Sequence, residues 1–199
     1  PLKNGEIGEI IKLAEHIGKA LLAAHTYQED GKSRPIIHRD VKLDNIMYEP
    51  KGDRYKLGDF GVATIIEDVE KSHTRNTGTG GYMAPEVYRY GHYDQRADIY
   101  SYGIVLYLLL NDMKDPCCGL PFWKMSWDDV SERYEVSVIP EPAHGTPILK
   151  KLVAKACDND PDQRYHDMRE LLEDLQKAKE EYLAAASIYE GDGRTEQKK

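Results

Sequence analysis

Between positions 38 and 61 the chain reads His-Arg-Asp-Val-Lys-Leu-Asp-Asn, then Ile-Met-Tyr, a turn, Tyr-Lys-Leu-Gly and Asp-Phe-Gly. Asp40, Lys42 and Asn45 stand on one short loop, and Asp59 follows after a reversal of the chain. Asn45 and Asp59 are hard oxygen donors of the kind magnesium prefers, and the Lys42 ammonium suits a phosphate. Asp40 is left to orient an attacking hydroxyl. Moving a phosphoryl group asks a protein mainly for positioning and for cations that neutralise charge, so this small set is close to sufficient.

These side chains need rigid elements around them. Over residues 6–25, Ile7, Ile10, Ile11, Ala14, Ile17, Leu21 and Ala24 recur at spacings of three and four, which predicts a helix with one buried face. A polar connector, 27–35, leads into the loop. Residues 45–48 and 55–58 flank Glu-Pro-Lys-Gly-Asp, a β-hairpin pattern whose turn brings Asn45 near Asp59. Residues 62–83 lack periodicity and read as a long loop, usually a functional feature at that length. The run 98–110 is apolar nearly all round and predicts an enclosed central helix. Residues 111–145 are irregular, with one short helix over 127–134. Two helices close the fold, over 147–157 and from 165 past 175. After 177 the chain is Lys/Glu-rich and predicts a protruding helix that frays into a disordered tail.

With 199 residues and 40% hydrophobic content the chain is sized for one domain. Lys+Arg 27 against Asp+Glu 35 gives a net charge of −8, which argues against nucleic-acid binding and against contact with anionic membranes. The apolar run 104–110 is far short of a membrane span, and a cytoplasmic setting is expected. Cys117, Cys118 and Cys157 form neither an even framework nor a CxxC metal spacing. They read as plain thiols; a redox role for the adjacent pair is the weaker alternative.

His-Arg-Asp-x-x-x-x-Asn, Asp-Phe-Gly and Ala84-Pro85-Glu86, in that order and at loop-sized separations, resemble the C-terminal lobe of protein kinases of the serine/threonine type. The likeness covers about residues 1–176 and leaves 177–199 as a charged helical extension and tail. The resemblance implies a mainly α, kinase-like C-lobe, with a short β-hairpin carrying the catalytic and magnesium loops and with the N-lobe absent. It makes Asp40 the catalytic base, Lys42 a catalytic and phosphate-binding residue, and Asn45 and Asp59 magnesium ligands for ATP. Lys42 and Thr79 match the serine/threonine pattern. Arg39 resembles the arginine that pairs with a phosphorylated residue of the activation loop, for which Thr74 and Thr77 lead and Ser72 follows; as bare residues they are equally well read as solvated loop hydroxyls. Glu86 and Arg164 resemble a buried structural ion pair, Asp98 the aspartate that holds the catalytic loop, and His38 a packed support of that loop. The 149–164 region looks closest to bacterial serine/threonine kinases.

The resemblance also implies a Gly-rich loop, a strand lysine and a helix glutamate from a smaller lobe, and none of these occurs in the sequence. The reading is therefore a fragment of a serine/threonine protein kinase acting on protein substrates, of weak or no activity in isolation. A non-catalytic kinase-like binding module and, behind it, a small-molecule phosphotransferase are the alternatives. Oligomeric state, substrate identity and the activating signal are left open.

Overall fold

A computed structural model describes residues 4–60, 64–65, 80–91, 93–136 and 138–192. The chain begins with α1, Asn4–His25, whose spaced isoleucines are buried as the pattern demands, with Ala14, Ile17 and Leu21 fully enclosed. The polar connector folds into a small ladder of β1, Gln28–Glu29, on β2, Lys32–Ser33, both exposed. The short strand β3, Ile36–Ile37, then leads into the His38 loop. A 3-10 turn at Leu43–Asn45 ends that loop.

The hairpin is formed by β4, Ile46–Glu49, and β5, Arg54–Leu57. They are antiparallel with Ile46 opposite Leu57, and the Gly58 N–H donates to the Asn45 carbonyl at 2.8 Å. Strand β6, Thr64–Ile65, returns to pair with β3. Its register places Ile37 opposite Thr64, so the entry to the His38 loop is joined to the segment after Asp-Phe-Gly.

A 3-10 turn at Gly80–Tyr82 precedes α2, Pro85–Tyr90. Next comes α3, Gln95–Leu110, capped by Asp94, whose carboxylate accepts from the Arg96 N–H at 2.7 Å. Its residues from Ile104 to Leu108 are buried on every side, since α1 and α5 both pack against it. A fully enclosed Leu or Ile contributes about 1.5–3 kcal/mol, so this helix anchors the core. In the irregular region α4, Trp127–Glu135, starts with a capping box between Ser126 and Asp129. The remaining helices are α5, Pro147–Ala156, and α6, Met168–Asp192.

Helix α6 starts three residues later than its apolar spacing suggests because Asp167 caps it, accepting from the N–H groups of Arg169 and Glu170 at 2.8 and 2.9 Å. It continues unbroken through residue 176 to Asp192. Its middle packs along α1: Ala178 is fully buried, and Tyr182 lies over Gly8, where an added Cβ would stand 2.8 Å from its hydroxyl. Residues 193–199, where the tail is expected, lie outside the described residues.

Glu15 ties the two helices together, accepting from Lys179 at 2.7 Å and Lys19 at 2.6 Å. The Lys179 bond first, and Lys19 second, pull its carboxyl from the ordinary 4.5 down to about 2. The folded chain thus holds Glu15 ionised more firmly than the unfolded chain does. That contribution is complete above pH 4.5 and is lost as pH falls toward 2. Lys179→Met is expected to flatten this acid loss, measured as a smaller drop in the urea midpoint between pH 6 and pH 3 than in the unmutated chain.

Candidate active site

The loop from His38 to Asn45 is fixed from below by Asp98 in the first turn of α3. Asp98 is 1% exposed, and its carboxylate accepts from the backbone N–H groups of His38 at 2.7 Å and Arg39 at 2.9 Å. His25, in the last turn of α1, adds a third contact, its Nε2 lying 2.8 Å from Asp98 Oδ2. A carboxylate oxygen can only accept, so His25 Nε2 carries the proton of this contact. His38 is fully buried, sets its own Nε2 3.0 Å from the Gly58 carbonyl, and meets the Phe60 ring edge-on at 4.5 Å.

Two residues of the site occupy the left-handed region that non-glycine residues rarely adopt: Arg39, with φ of 67°, and Asp59, with φ of 57°. Such backbone costs roughly 1–3 kcal/mol each and persists where the surroundings impose it. The Asp98 bond imposes it on Arg39. Arg39 then stacks its guanidinium 4.6 Å from the centre of the Tyr93 ring, and burial, opposed by Tyr93 and Asp98, draws its pKa below the usual value.

Asp40 emerges from this loop with its carboxylate largely shielded. Lys42 Nζ is 2.7 Å from Asp40 Oδ2, and Asn45 Nδ2 donates to the Asp40 carbonyl at 2.7 Å and to Oδ2 at 3.0 Å. Both amide hydrogens of Asn45 are thereby committed to Asp40, and neither bond uses its Oδ1, the hard donor. The hairpin returns the chain so that Gly58 binds Asn45 and the exposed Asp59 comes next. Asp40, Lys42 and Asn45 are thus joined directly, and Asp59 follows Gly58, whose N–H is bound to the Asn45 carbonyl. Among the described residues no three His, Cys, Asp or Glu side chains converge as a metal cage. Magnesium needs none, since it keeps waters and takes one or two protein oxygens together with phosphates. The donor set of one amide oxygen and one carboxylate fits that pattern.

A groove of about 460 Å³ is lined by Leu43 and Asp44 of this loop together with Gly80, Gly81, Tyr82, Phe122, Trp123 and Trp127. Glu86 and Arg164 meet as a two-pronged pair, Nη1 to Oε1 and Nη2 to Oε2, each at 2.7 Å. Thr74, Thr77, Thr79 and Ser72 lie outside the described residues. Burial pushes the Cys117 thiol up to about 11 and Cys157 up to about 12, so neither is held as a thiolate at neutral pH.

Sequence reasoning missed His25 and the pair Asp115–Arg133. His25 follows Leu21 by four residues and so lies on the apolar stripe of α1; Arg133 follows the buried Val130 by three in α4. A polar side chain on a buried stripe signals a buried partner in both cases.

The family model described as the protein kinase domain matches residues 4–175. Among curated proteins the chain is 34% identical over 159 residues to serine/threonine-protein kinase VIK of Arabidopsis thaliana, covering 73% of this chain and 33% of that one. It is 38% identical over 145 residues to serine/threonine-protein kinase PknB of Mycolicibacterium smegmatis, covering 70% and 22% respectively. With serine/threonine-protein kinase PrkC of Bacillus subtilis the figures are 29% over 175 residues, 85% and 25%. The match spans a third or less of the length of each of these relatives. No helix among the described residues is long and apolar enough to cross a membrane.

Proposed function

The chain belongs to the protein kinase family, and we propose that it forms the C-terminal lobe of a serine/threonine protein kinase that transfers the γ-phosphate of ATP to Ser and Thr hydroxyls of proteins. The observation that carries this reading is the Asp40 carboxylate, held between Lys42 and Asn45 on a loop whose backbone Asp98 pins.

The Asp40 carboxylate, whose Oδ2 already accepts from Lys42 and Asn45, takes the hydrogen bond, and then the proton, of the incoming hydroxyl. Lys42 shields the carboxylate in the resting site and meets the transferred phosphoryl group during reaction. Asn45 Oδ1 and the Asp59 carboxylate would hold magnesium. When bound, that ion neutralises charge on the ATP phosphates. Arg39 stands next to Asp40 on the same loop, so an activation-loop phosphate at Thr74 or Thr77 that pairs with it would bear directly on the base. Thr79 completes the proposed contacts of the base and lysine. The serine/threonine preference is supported by Lys42 and by the three relatives, each a serine/threonine-protein kinase by name.

Nothing within residues 1–199 supplies a Gly-rich phosphate loop or a strand lysine, so the isolated chain is expected to transfer phosphate weakly or not at all. The full-length protein, given magnesium-ATP with a mixture of Ser, Thr and Tyr peptides and an aminoglycoside, is expected to label Ser and Thr peptides. Label on the aminoglycoside alone, or on Tyr peptides alone, would overturn the assignment.

A further inference from the structure

Arg133 lies in α4, and its side chain is 0% exposed, as is that of its partner Asp115. A guanidinium is costly to bury unless its donors are answered. Nη1 donates to Asp115 Oδ2 at 2.6 Å, and Nη2 donates to the Gly81 carbonyl at 2.5 Å. The other carboxylate oxygen of Asp115 accepts from the N–H groups of Cys117 at 2.9 Å and Cys118 at 3.2 Å. Asp115 is thus fixed to its own turn, and it fixes Arg133. The guanidinium carbon also lies 5.7 Å from the centre of the Tyr134 ring.

The tie to Gly81 is one of a series. The Tyr82 carbonyl accepts from Ser101 Oγ at 2.8 Å, and the Met83 carbonyl accepts from the Tyr134 hydroxyl at 2.7 Å. Three successive carbonyls are therefore each answered by a side chain, two of them from neighbouring residues of α4. The aromatic rings add contact on the same stretch: a Cβ on Gly81 would stand 2.3 Å from Phe122, and one on Gly80 2.4 Å from Trp127. This tightly gripped backbone lines the same groove as Leu43 and Asp44 of the catalytic loop, and Tyr82 and Met83 line a smaller cavity together with Asp40.

We propose that Arg133, backed by Asp115, is a substrate-positioning residue: by holding the Gly81 carbonyl it sets the spacing of the groove wall from Asp40, and with it the seating of the peptide that bears the target hydroxyl. The identity of that occupant rests on the kinase reading above; the tie itself does not.

The test pairs Arg133→Met with Asp115→Asn in the full-length protein. Asparagine keeps Oδ1 for Cys117 and Cys118, and the double change strands no charge. The expected result is a KM for a Ser/Thr peptide raised about tenfold or more, with kcat and the KM for ATP changed less than about twofold. Amide exchange at residues 80–83 should quicken by about tenfold or more while α3 stays protected. An unchanged peptide KM together with unchanged exchange overturns the proposal, as does a uniform fall in kcat and in both KM terms. Should the double variant melt more than about 10 °C lower, Arg133→Lys, which keeps the charge beside Asp115 but cannot bridge to Gly81, is read instead against the same criteria. If the unmutated protein transfers no phosphate, the kinase reading fails and the exchange measurement alone judges the tie.

Discussion

Asp40→Asn in the full-length protein is expected to lower kcat for peptide phosphorylation by about 10²–10⁴, the usual worth of a positioned general base, while leaving the KM for ATP within about threefold. The separation follows from the geometry. Asparagine is close in size to aspartate and still offers an oxygen to Lys42 or to the Asn45 amide, which bind Asp40 at 2.7 and 3.0 Å. The loop keeps its shape because that shape is set from the backbone side, through the Asp98 contacts to His38 and Arg39. The amide cannot accept a proton, so the loss falls on the chemical step. Steady-state kinetics on matched preparations decides the matter: a kcat within about threefold of the unmutated protein would remove Asp40 from the chemistry.

Much of this cluster was readable in advance because the hairpin that joins its parts is local; the Asp98 contacts that hold its loop are long-range and were legible only through motif likeness. Asn45 and Asp59 are joined by a hairpin whose turn residues, Pro50 to Asp53, enforce the reversal, and a fixed register then makes Gly58 bind Asn45. Asp40 and Lys42 need only a loop. The central helix was equally plain, since an apolar run with no polar face has nowhere to go but the interior. What escaped were long-range polar pairs. His25 reaches Asp98 across 73 positions, and Arg133 reaches Gly81 across 52, both from helices whose periodicity shows a buried stripe but not what lies opposite it. The packing of α6 escaped for another reason, since the extension past 177 reads as a protruding helix. Its later turns are held by Lys179 on Glu15 and by Tyr182 on Gly8, contacts with α1 that a Lys/Glu-rich composition does not reveal.

Glu86 and Arg164, like Asp98 beneath the His38 loop, make a long-range contact legible through motif likeness, and they give the largest expected effect on stability. The Arg164 side chain is 0% exposed and that of Glu86 12%. Besides the two bonds to Glu86, Arg164 donates to the carbonyls of Asp158 at 2.6 Å and Arg96 at 3.1 Å, and its guanidinium lies 4.8 Å from the centre of the Tyr100 ring. One side chain thus joins α2, the start of α3 and the turn before α6. Arg164→Met leaves a carboxylate enclosed without its partner and takes the side-chain donor from the loop carbonyl of Asp158, a loss of about 3–5 kcal/mol. Against a total stability of roughly 5–15 kcal/mol this is a large share, and for a chain of this length it corresponds to a melting temperature lower by roughly 6–20 °C. Adding Glu86→Gln removes the stranded charge and is expected to restore part of the loss, whereas Lys12→Met, which breaks the exposed contact with Asp53, should leave the melting temperature unchanged. Thermal unfolding of the four proteins side by side separates the two kinds of ion pair. If Arg164→Met melts with the unmutated chain, the pair fills space without supporting the helices around it.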